Sequence, residues 1–108
     1  MSTMDAYKAE LAAYLRHFGT NVRRLRTAQP HRVSQEELAD RANLHRTEIG
    51  RLELGEVEPR LTTLVILAEA LEARVDDLLD GLWLPVERRP APKSRLHLPE
   101  PQSKGNRR

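Results

Sequence analysis

The sequence contains no cysteine, which excludes disulfide bonds, thiolate chemistry and the usual structural zinc sites. Aromatic residues make up only 4% of the 108 residues, and no apolar run approaches the roughly 20 residues needed to cross a bilayer. The first ten residues also lack the apolar segment of a secretion signal. We therefore expect a cytoplasmic protein whose modest core of leucine, isoleucine, valine and alanine favours helices over a sheet.

Groups that could carry catalysis are also missing. The histidines, His17, His31, His45 and His97, share no close helical spacing, so the sequence predicts neither a metal site nor an acid-base pair. There is no glycine-rich phosphate loop, and no serine has an identifiable partnering base. We expect a protein that is not an enzyme and has no cofactor.

The formal charge of +2 is unevenly distributed. Residues 1–30 carry five basic side chains against two carboxylates, and residues 31–84 carry six arginines against twelve carboxylates. Residues 85–108 carry seven basic side chains against two carboxylates. Because the middle of the chain is acidic, it can bind nucleic acid only if its few arginines are concentrated on one face.

The first 30 residues contain one apolar stripe at helical spacing. The stripe predicts a helix from Asp5 to about Ala28, although Gly19 in its middle could mark a break. Gln29 and Pro30 end it, because a residue before proline is pushed out of the helical region. The members of the stripe are Leu11, Leu15, Phe18, Val22 and Leu25.

Four shorter helices follow. Ser34 and Glu37 form a capping box that opens the second helix, over residues 35–42. The third helix, over 45–53, turns Ile49 and Leu52 inward. A fourth helix runs from Leu61 to about Leu71 and a fifth from about Val75 to Gly81. The residues expected to be buried in these last two helices are Leu64, Val65, Ala68, Leu71 and Leu78, with Leu79 as a further candidate.

The composition changes after the fifth helix. Leu82, Trp83 and Leu84 form a short apolar cluster, and five of the seven prolines follow among basic residues without periodicity. Such a composition does not bury enough surface to offset the entropy of ordering. The sequence thus predicts one folded domain over residues 1–84 and a disordered, proline-rich basic tail over 85–108.

The third helix carries the candidate chemistry. At 100° per residue, Arg46, Thr47, Gly50 and Arg51 lie opposite the apolar pair Ile49 and Leu52, and Glu48 flanks the polar face. Arginine matches the O6 and N7 acceptors of guanine in the major groove, a threonine methyl suits thymine, and glutamate can accept from cytosine. Two exposed arginines alone are more often a solvated surface. Preceded by a capped helix and a three-residue turn, they indicate a helix-turn-helix unit.

Residues 18–81 resemble the phage-repressor-like helix-turn-helix family, also called the xenobiotic-response-element or lambda-repressor-like family. The segments that carry the resemblance are "GTNVRRLR", "SQEELADRANL", "RTEIGRLELG", "EPRLTTLVILAEAL" and "VDDLL". The resemblance implies an all-α, five-helix DNA-binding domain, usually dimeric, with the third helix in the major groove and the second across the DNA backbone. The segment "ANLHRTEIGRLELG" is also similar to the controller proteins of restriction-modification systems.

The resemblance assigns roles to individual residues. It implies base reading by Arg46, Thr47 and Arg51, to which the helical wheel adds Glu48 and Gly50. It also implies a partly buried ion pair between Arg26 and Glu53. The residues expected to contact the DNA backbone are Gln35, Arg24, His45 and Gly55.

Four positions depart from the family pattern. Asn43 replaces the glycine of the turn, and asparagine tolerates the left-handed conformation that this turn requires. Glu72 replaces a glycine before the fifth helix, which predicts either a longer regular helix at that junction or mild strain. Arg60 and Arg74 occupy sites where a serine or a similar capping residue is common.

We expect a sequence-specific regulator of transcription that binds double-stranded DNA at a palindromic or pseudo-palindromic operator. A homodimer closed by Leu79, Leu82 and Trp83 would cover the two half-sites, although Trp83 could instead cap the core of its own chain. Two other readings remain open: a restriction-modification controller protein, and an antitoxin or interaction module that binds a protein partner through residues 85–108.

Overall fold

A computed structural model describes residues 3–82 of the chain, with side chains from Met4 onward. The regular secondary structure of this part is all helical, without a strand, as the sequence predicted. Trp83 and the tail over 85–108 lie outside the described residues. No helix within 3–82 combines the length and the apolar character needed to cross a membrane. The helices are α1 (Thr3–Thr27), α2 (Gln35–Ala42), α3 (Arg46–Glu53), α4 (Leu61–Ala70) and α5 (Val75–Leu78).

Helix α1 continues without interruption through Gly19. The glycine is required by packing, since a Cβ at this position would lie 2.5 Å from the carbonyl oxygen of Leu52 and would also overlap the carbonyl of Glu53. The end of α3 therefore rests directly on the backbone of α1. Such close approach is available only to glycine.

Asn43 ends α2 in the left-handed conformation, with φ 58° and ψ 42°. The Leu44 N–H donates to the Ala39 carbonyl at 2.8 Å, which satisfies one of the last carbonyls of the helix. At the other end, the Glu37 N–H donates to the Ser34 hydroxyl at 3.0 Å. Both ends of this eight-residue helix are thus fixed by local hydrogen bonds. Only the Ser34 half of the predicted capping box forms, because the Glu37 carboxylate accepts from Nη2 of Arg41 at 3.1 Å instead of reaching back to Ser34.

The core lies where α3 packs against α1 and α2, and it continues between α4 and its neighbours α2 and α5. Side chains of this size each contribute roughly 1.5 to 3 kcal/mol when fully buried. Ile49 and Leu52 therefore anchor the inner face of α3 and leave its outer face free. The largest fully buried side chains are Leu38, Ile49, Leu52, Leu67, Leu71, Leu78, Val22 and Val33.

The buried face of α4 was predicted only in part: Ala68 and Leu71 are buried as expected, and Leu64 packs partly buried against the core. Val65 was expected inside but is 52% exposed, whereas Thr63 and Leu67 are buried together with Ala68. The sequence of α4 is apolar on almost every side, so its periodicity alone did not distinguish between neighbouring faces. Packing against α2 and α5 selects the face.

The junction between α4 and α5 contains a strained residue instead of a longer helix. Helix α4 ends at Ala70, and Glu72 adopts a left-handed φ of 55°. The N–H groups of Glu72 and Ala73 donate to the carbonyls of Glu69 and Ala68, at 3.1 and 2.8 Å. This is the hydrogen-bond pattern that glycine usually permits at the end of a helix. Of the two alternatives that the sequence suggested, only the strained one agrees with the structure.

Helix α5 is shorter than predicted and is attached to α1 by polar contacts. Asn21 is 4% exposed, and its Nδ2 donates to the carbonyls of Leu78 and Asp80, both at 2.9 Å. The Asp80 carbonyl also lies 2.8 Å from Nε2 of His17. These side chains satisfy carbonyls at the end of α5 that would otherwise lack partners. The sequence analysis did not identify Asn21 because its role depends on a residue 57 positions away.

Candidate nucleic-acid interface

The outer face of α3 is an exposed polar surface. Arg46, Thr47 and Arg51 are exposed, while Ile49 and Leu52 on the opposite side are 0% and 2% exposed. The predicted division of this helix into a buried face and a polar face is therefore present. It follows that the three polar side chains reach solvent from a firmly packed support.

A depression of about 500 Å³ lies on one side of α3, between α1 and the start of α2. We call it the α1-side groove. Four arginines and one carboxylate, Glu53, contribute to its walls, so its lining carries a net positive charge despite the acidic middle of the chain. Its lining residues are Arg23, Arg26, Gln35, Arg46, Thr47, Gly50, Arg51, Glu53 and Leu54.

A second depression of about 710 Å³ lies on the opposite side of α3, toward α4. We call it the α4-side groove. Thr47 and Arg51 line both depressions, so α3 stands between them as a ridge. A ridge one helix wide matches the major groove of B-DNA, which admits a single α-helix. The polar residues that line this groove include His45, Thr47, Glu48, Arg51, Glu58, Arg60, Thr62 and Thr63.

Arg26 and Glu53 hold the ridge to α1. Nε of Arg26 donates to Oε2 of Glu53 at 2.6 Å and Nη2 donates to Oε1 at 3.0 Å, with side chains only 12% and 4% exposed. The hydrogen bond to Glu53 raises the pKa of Arg26 above its ordinary value, against the lowering effect of burial. Nη1 of Arg26 donates to the Val33 carbonyl at 2.9 Å, so the guanidinium also fixes the entry to α2.

Gln35 extends this network to α2. Its Nε2 donates to Oε1 of Glu53 at 3.0 Å, so the amide is oriented by the ion pair. Its Oε1 lies near Gly50 on the wall of the α1-side groove. The side chain that was predicted to contact the DNA backbone is thus already held in position by the ion pair.

The two glycines predicted to lie at the DNA have different surroundings. A Cβ at Gly50 would meet only Oε1 of Gln35, at an ordinary 3.8 Å, so the fold does not require glycine there. Gly55, in contrast, has φ +75°, and a Cβ would lie 2.8 Å from the backbone nitrogen of Arg16. The packing of Gly55 on α1 is therefore sufficient to explain why a glycine occupies this position, without any contact to DNA.

Arg24 is directed away from the ridge. Its Nη2 donates to Oδ1 of Asn21 at 3.4 Å, on the side of α1 that holds α5. Arg23, which the sequence analysis did not select, lines the α1-side groove together with Arg26. The two arginines differ by one residue, which rotates a helical side chain by about 100°. Helical spacing from Arg26 could have identified Arg23, since residues three apart share a face.

Arg60 was also overlooked as a candidate for DNA contact. It is exposed, precedes α4 and makes no side-chain capping bond. Its side chain lines the α4-side groove beside His45, which precedes α3 in the same way and also makes no capping bond. The signal was present in the sequence: a basic residue occupies a site where a capping serine is common.

The residues predicted to form the dimer contact are only partly described. Leu79 is 38% exposed and Leu82 is half-buried, and Trp83 lies outside the described residues. Leu79 therefore offers apolar surface beyond α5, on the part of the molecule where Asn21 and His17 join α5 to α1.

Comparison with known proteins places this geometry in a family. The family model described as helix-turn-helix matches residues 22–78, more than half of the chain. The control protein C.SmaI from Serratia marcescens is 51% identical over 47 residues, which cover 44% of this chain and 56% of that protein. This chain therefore spans little more than half the length of that relative. The crystal structure of the restriction-modification controller protein C.AhdI from Aeromonas hydrophila matches with a TM-score of 0.58 and 38% identity.

The match to C.AhdI covers 61% of this chain and 97% of that one. Together with the family match, these observations establish that the chain belongs to the helix-turn-helix family of DNA-binding transcriptional regulators.

Proposed function

We propose that the protein is a sequence-specific regulator that inserts α3 into the major groove of double-stranded DNA. The observation that carries this proposal is the ridge of α3, whose exposed Arg46, Thr47 and Arg51 stand between two grooves. A polar helix mounted on a fully buried apolar face suits insertion, because the support does not need to rearrange.

Base reading is assigned to the ridge itself. The guanidinium groups of Arg46 and Arg51 offer planar donors for guanine, and the methyl group of Thr47 suits thymine. Arg51 has only a loose contact with Glu56, 3.8 Å between Nε and Oε1, with both side chains more than half exposed. Such an exposed pair contributes little and leaves Arg51 free to exchange partners. Glu48 and Gly50 border the same surface.

Backbone contacts are assigned to the grooves that flank the ridge. Gln35 and Arg23 line the α1-side groove, and His45 and Arg60 line the α4-side groove. The two phosphate strands border the major groove on both sides of an inserted helix, so donors are needed on each flank. Arg23 thus takes the role that the sequence analysis gave to Arg24.

We further propose that two copies bind the two halves of a palindromic or pseudo-palindromic operator, joined through α5 with Leu79 and Leu82. Support comes from the exposed apolar surface of Leu79 and from the similarity to two control proteins. By the same similarity, we propose that the regulated genes belong to a restriction-modification system. A two-fold axis that relates the two copies would place the half-sites about one helical turn of DNA apart.

Selection of bound duplexes from a random pool, combined with the mass of the complex, tests this function. We expect enrichment of a sequence with two related halves and a complex that contains two protein chains. Arg51→Ala should relax the preference at one position in each half and cost roughly 1 to 3 kcal/mol of discrimination. Arg41→Ala on α2, whose side chain pairs with Glu37, serves as the control and should leave the preference unchanged. A pool that shows no enrichment at moderate salt would contradict the proposal.

A further inference from the structure

The side-chain amide of Gln35 has one fixed end and one open end. Its Nε2 donates to Oε1 of Glu53 at 3.0 Å. A carboxylate only accepts hydrogen bonds, so the amide nitrogen must face Glu53 and the amide oxygen must turn away from it. This oxygen accepts no hydrogen bond from residues 3–82, and water can reach it, since the buried unpaired polar atom of this part of the chain belongs to Tyr14. Oε1 of Gln35 is therefore an accessible acceptor with a fixed direction.

This acceptor faces the backbone of α3 at Gly50. A Cβ added to Gly50 would lie 3.8 Å from Oε1 of Gln35, and no other contact outside its own helix backbone lies within 4 Å. Because glycine inside a helix costs about 1 kcal/mol relative to alanine, neither packing nor helix propensity within 3–82 accounts for Gly50. The two residues border a recess in the wall of the α1-side groove, which we call the Gln35–Gly50 notch. The notch is open to a small group that approaches from the groove.

The Gln35–Gly50 notch supplies an acceptor where the arginines of the α1-side groove supply only donors. Glu53 is the one carboxylate in the lining of this groove, but its side chain is 4% exposed and both of its oxygens accept from Arg26. Thr47 has a hydroxyl, which donates as well as accepts. Among the side chains that line the groove, Gln35 therefore provides the one accessible oxygen that acts purely as an acceptor.

An acceptor that faces the major groove distinguishes between the bases. Adenine and cytosine present amino groups there, at N6 and N4, whereas guanine presents the acceptors O6 and N7, and thymine presents O4 and a methyl group. Oε1 of Gln35 can accept from either amino group and repels the acceptors of guanine and thymine. The absence of a side chain at Gly50 leaves room for the amino group to approach.

We propose that Gln35 reads the amino group of one adenine or cytosine in each half-site, with that group seated in the Gln35–Gly50 notch. The inference rests on the proposed function and adds a base-reading position outside α3. It is compatible with a phosphate contact, because Nε2 keeps a second hydrogen that the bond to Glu53 does not use. Binding then depends on the chemical state of the amino group. Methylation of that group in a paired base turns a methyl toward the major groove, because the remaining hydrogen is used in the base pair.

Selection of bound duplexes by the full chain and by Gln35→Met tests this assignment. Methionine has nearly the length of glutamine and lacks the amide. The wild-type chain should enrich adenine or cytosine at one position in each half beyond those read by α3. Gln35→Met should lose this preference, about tenfold in relative affinity, and keep the others. The matched control is Gln29→Met, because Nε2 of Gln29 donates to the Leu71 carbonyl at 3.0 Å, outside both grooves, and this variant should keep every preference.

A methylated operator gives a second measurement, which is made on the wild-type chain and does not depend on the folding of a variant. Duplexes with N6-methyladenine or N4-methylcytosine at the identified position of both halves should bind about tenfold more weakly than the unmethylated operator. Gln35→Met should bind the two duplexes nearly equally. The substitution and the methyl group thus form a cycle whose coupling isolates the contact between Gln35 and the base.

The outcomes distinguish base reading by Gln35 from a purely structural role. If the wild-type chain enriches an operator but Gln35→Met weakens binding to all sequences equally, Gln35 only supports the ion pair, and the inference is wrong although the proposed function stands. The same holds if the preference for adenine or cytosine survives in Gln35→Met, or if methylation weakens binding of both proteins alike. If the wild-type chain enriches no sequence, the proposed function fails and the inference fails with it.

Discussion

The guanidinium of Arg26 and the carboxylate of Glu53 meet at two points, 2.6 and 3.0 Å apart, and thereby fix the ridge of α3 to α1. Directly beside this pair, Gly19 lets the last turn of α3 rest on the α1 backbone. Gln35 joins the same carboxylate from α2. The orientation of the proposed reading helix is thus set by polar contacts that are themselves almost fully buried.

Removing one partner of the ion pair should destabilise the domain strongly. Glu53→Ala leaves the charge of Arg26 buried and unpaired, with an expected loss of about 3 to 5 kcal/mol. Replacing both partners by apolar residues, Arg26→Met with Glu53→Leu, should recover most of this loss, because no unpaired charge remains. Chemical denaturation of Arg26→Met, Glu53→Leu and the double variant measures the coupling. Additive losses would show that the two residues do not act as a pair.

Gly50→Ala separates stability from DNA binding. The added Cβ meets only Gln35 at an ordinary distance, and alanine gains about 1 kcal/mol over glycine inside a helix. The variant should therefore melt at a higher temperature. If the α3 backbone approaches the bases closely at Gly50, the same methyl group should weaken operator binding roughly tenfold, or about 1.4 kcal/mol. A variant that gains stability and keeps full affinity would show that Gly50 does not approach DNA.

Arg23 and Arg24 form a matched pair for testing the phosphate contacts. Arg23→Gln should weaken binding to all sequences and reduce the slope of log K against log salt by about 1, because one phosphate contact is lost. Arg24→Gln removes the same charge from the side of α1 that faces α5 and should leave the slope nearly unchanged. If the two substitutions weaken binding equally, both arginines contribute to DNA binding only through the net charge of the protein.

The sequence predicted most of the fold because its signals were local. The hydroxyl cap of Ser34, the left-handed Asn43 and the polar face of α3 each depend on residues within a few positions. What it missed depends on packing between helices. Val65 was assigned to the wrong face because α4 is apolar on nearly all sides, and Asn21 acquires its position only when α5 docks on α1.

The same distinction applies to the candidate site. Arg46, Thr47 and Arg51 could be selected from one helical wheel, and Arg26 and Glu53 from the resemblance. The role of Gly55 could not be selected in this way, because its close contact with Arg16 joins residues 39 positions apart. Long-range contacts therefore decide which residues support α3, whereas the exposed face of α3 itself is set by local helical spacing.

Glu72 offers a test of backbone strain far from the proposed DNA surface. A residue with a side chain costs roughly 1 to 2 kcal/mol in the left-handed conformation, and glycine avoids this cost while adding some entropy to the unfolded chain. Glu72→Gly should therefore stabilise the domain by about 0.5 to 1 kcal/mol, a rise in melting temperature of several degrees for a domain of this size. Asn43→Gly is the matched control: φ is similar, at 58°, but asparagine already tolerates it, so the change should be close to zero. Melting curves of the two variants measure the difference. If Asn43→Gly raises the melting temperature as much as Glu72→Gly or more, the left-handed backbone at Glu72 is not a particular source of strain.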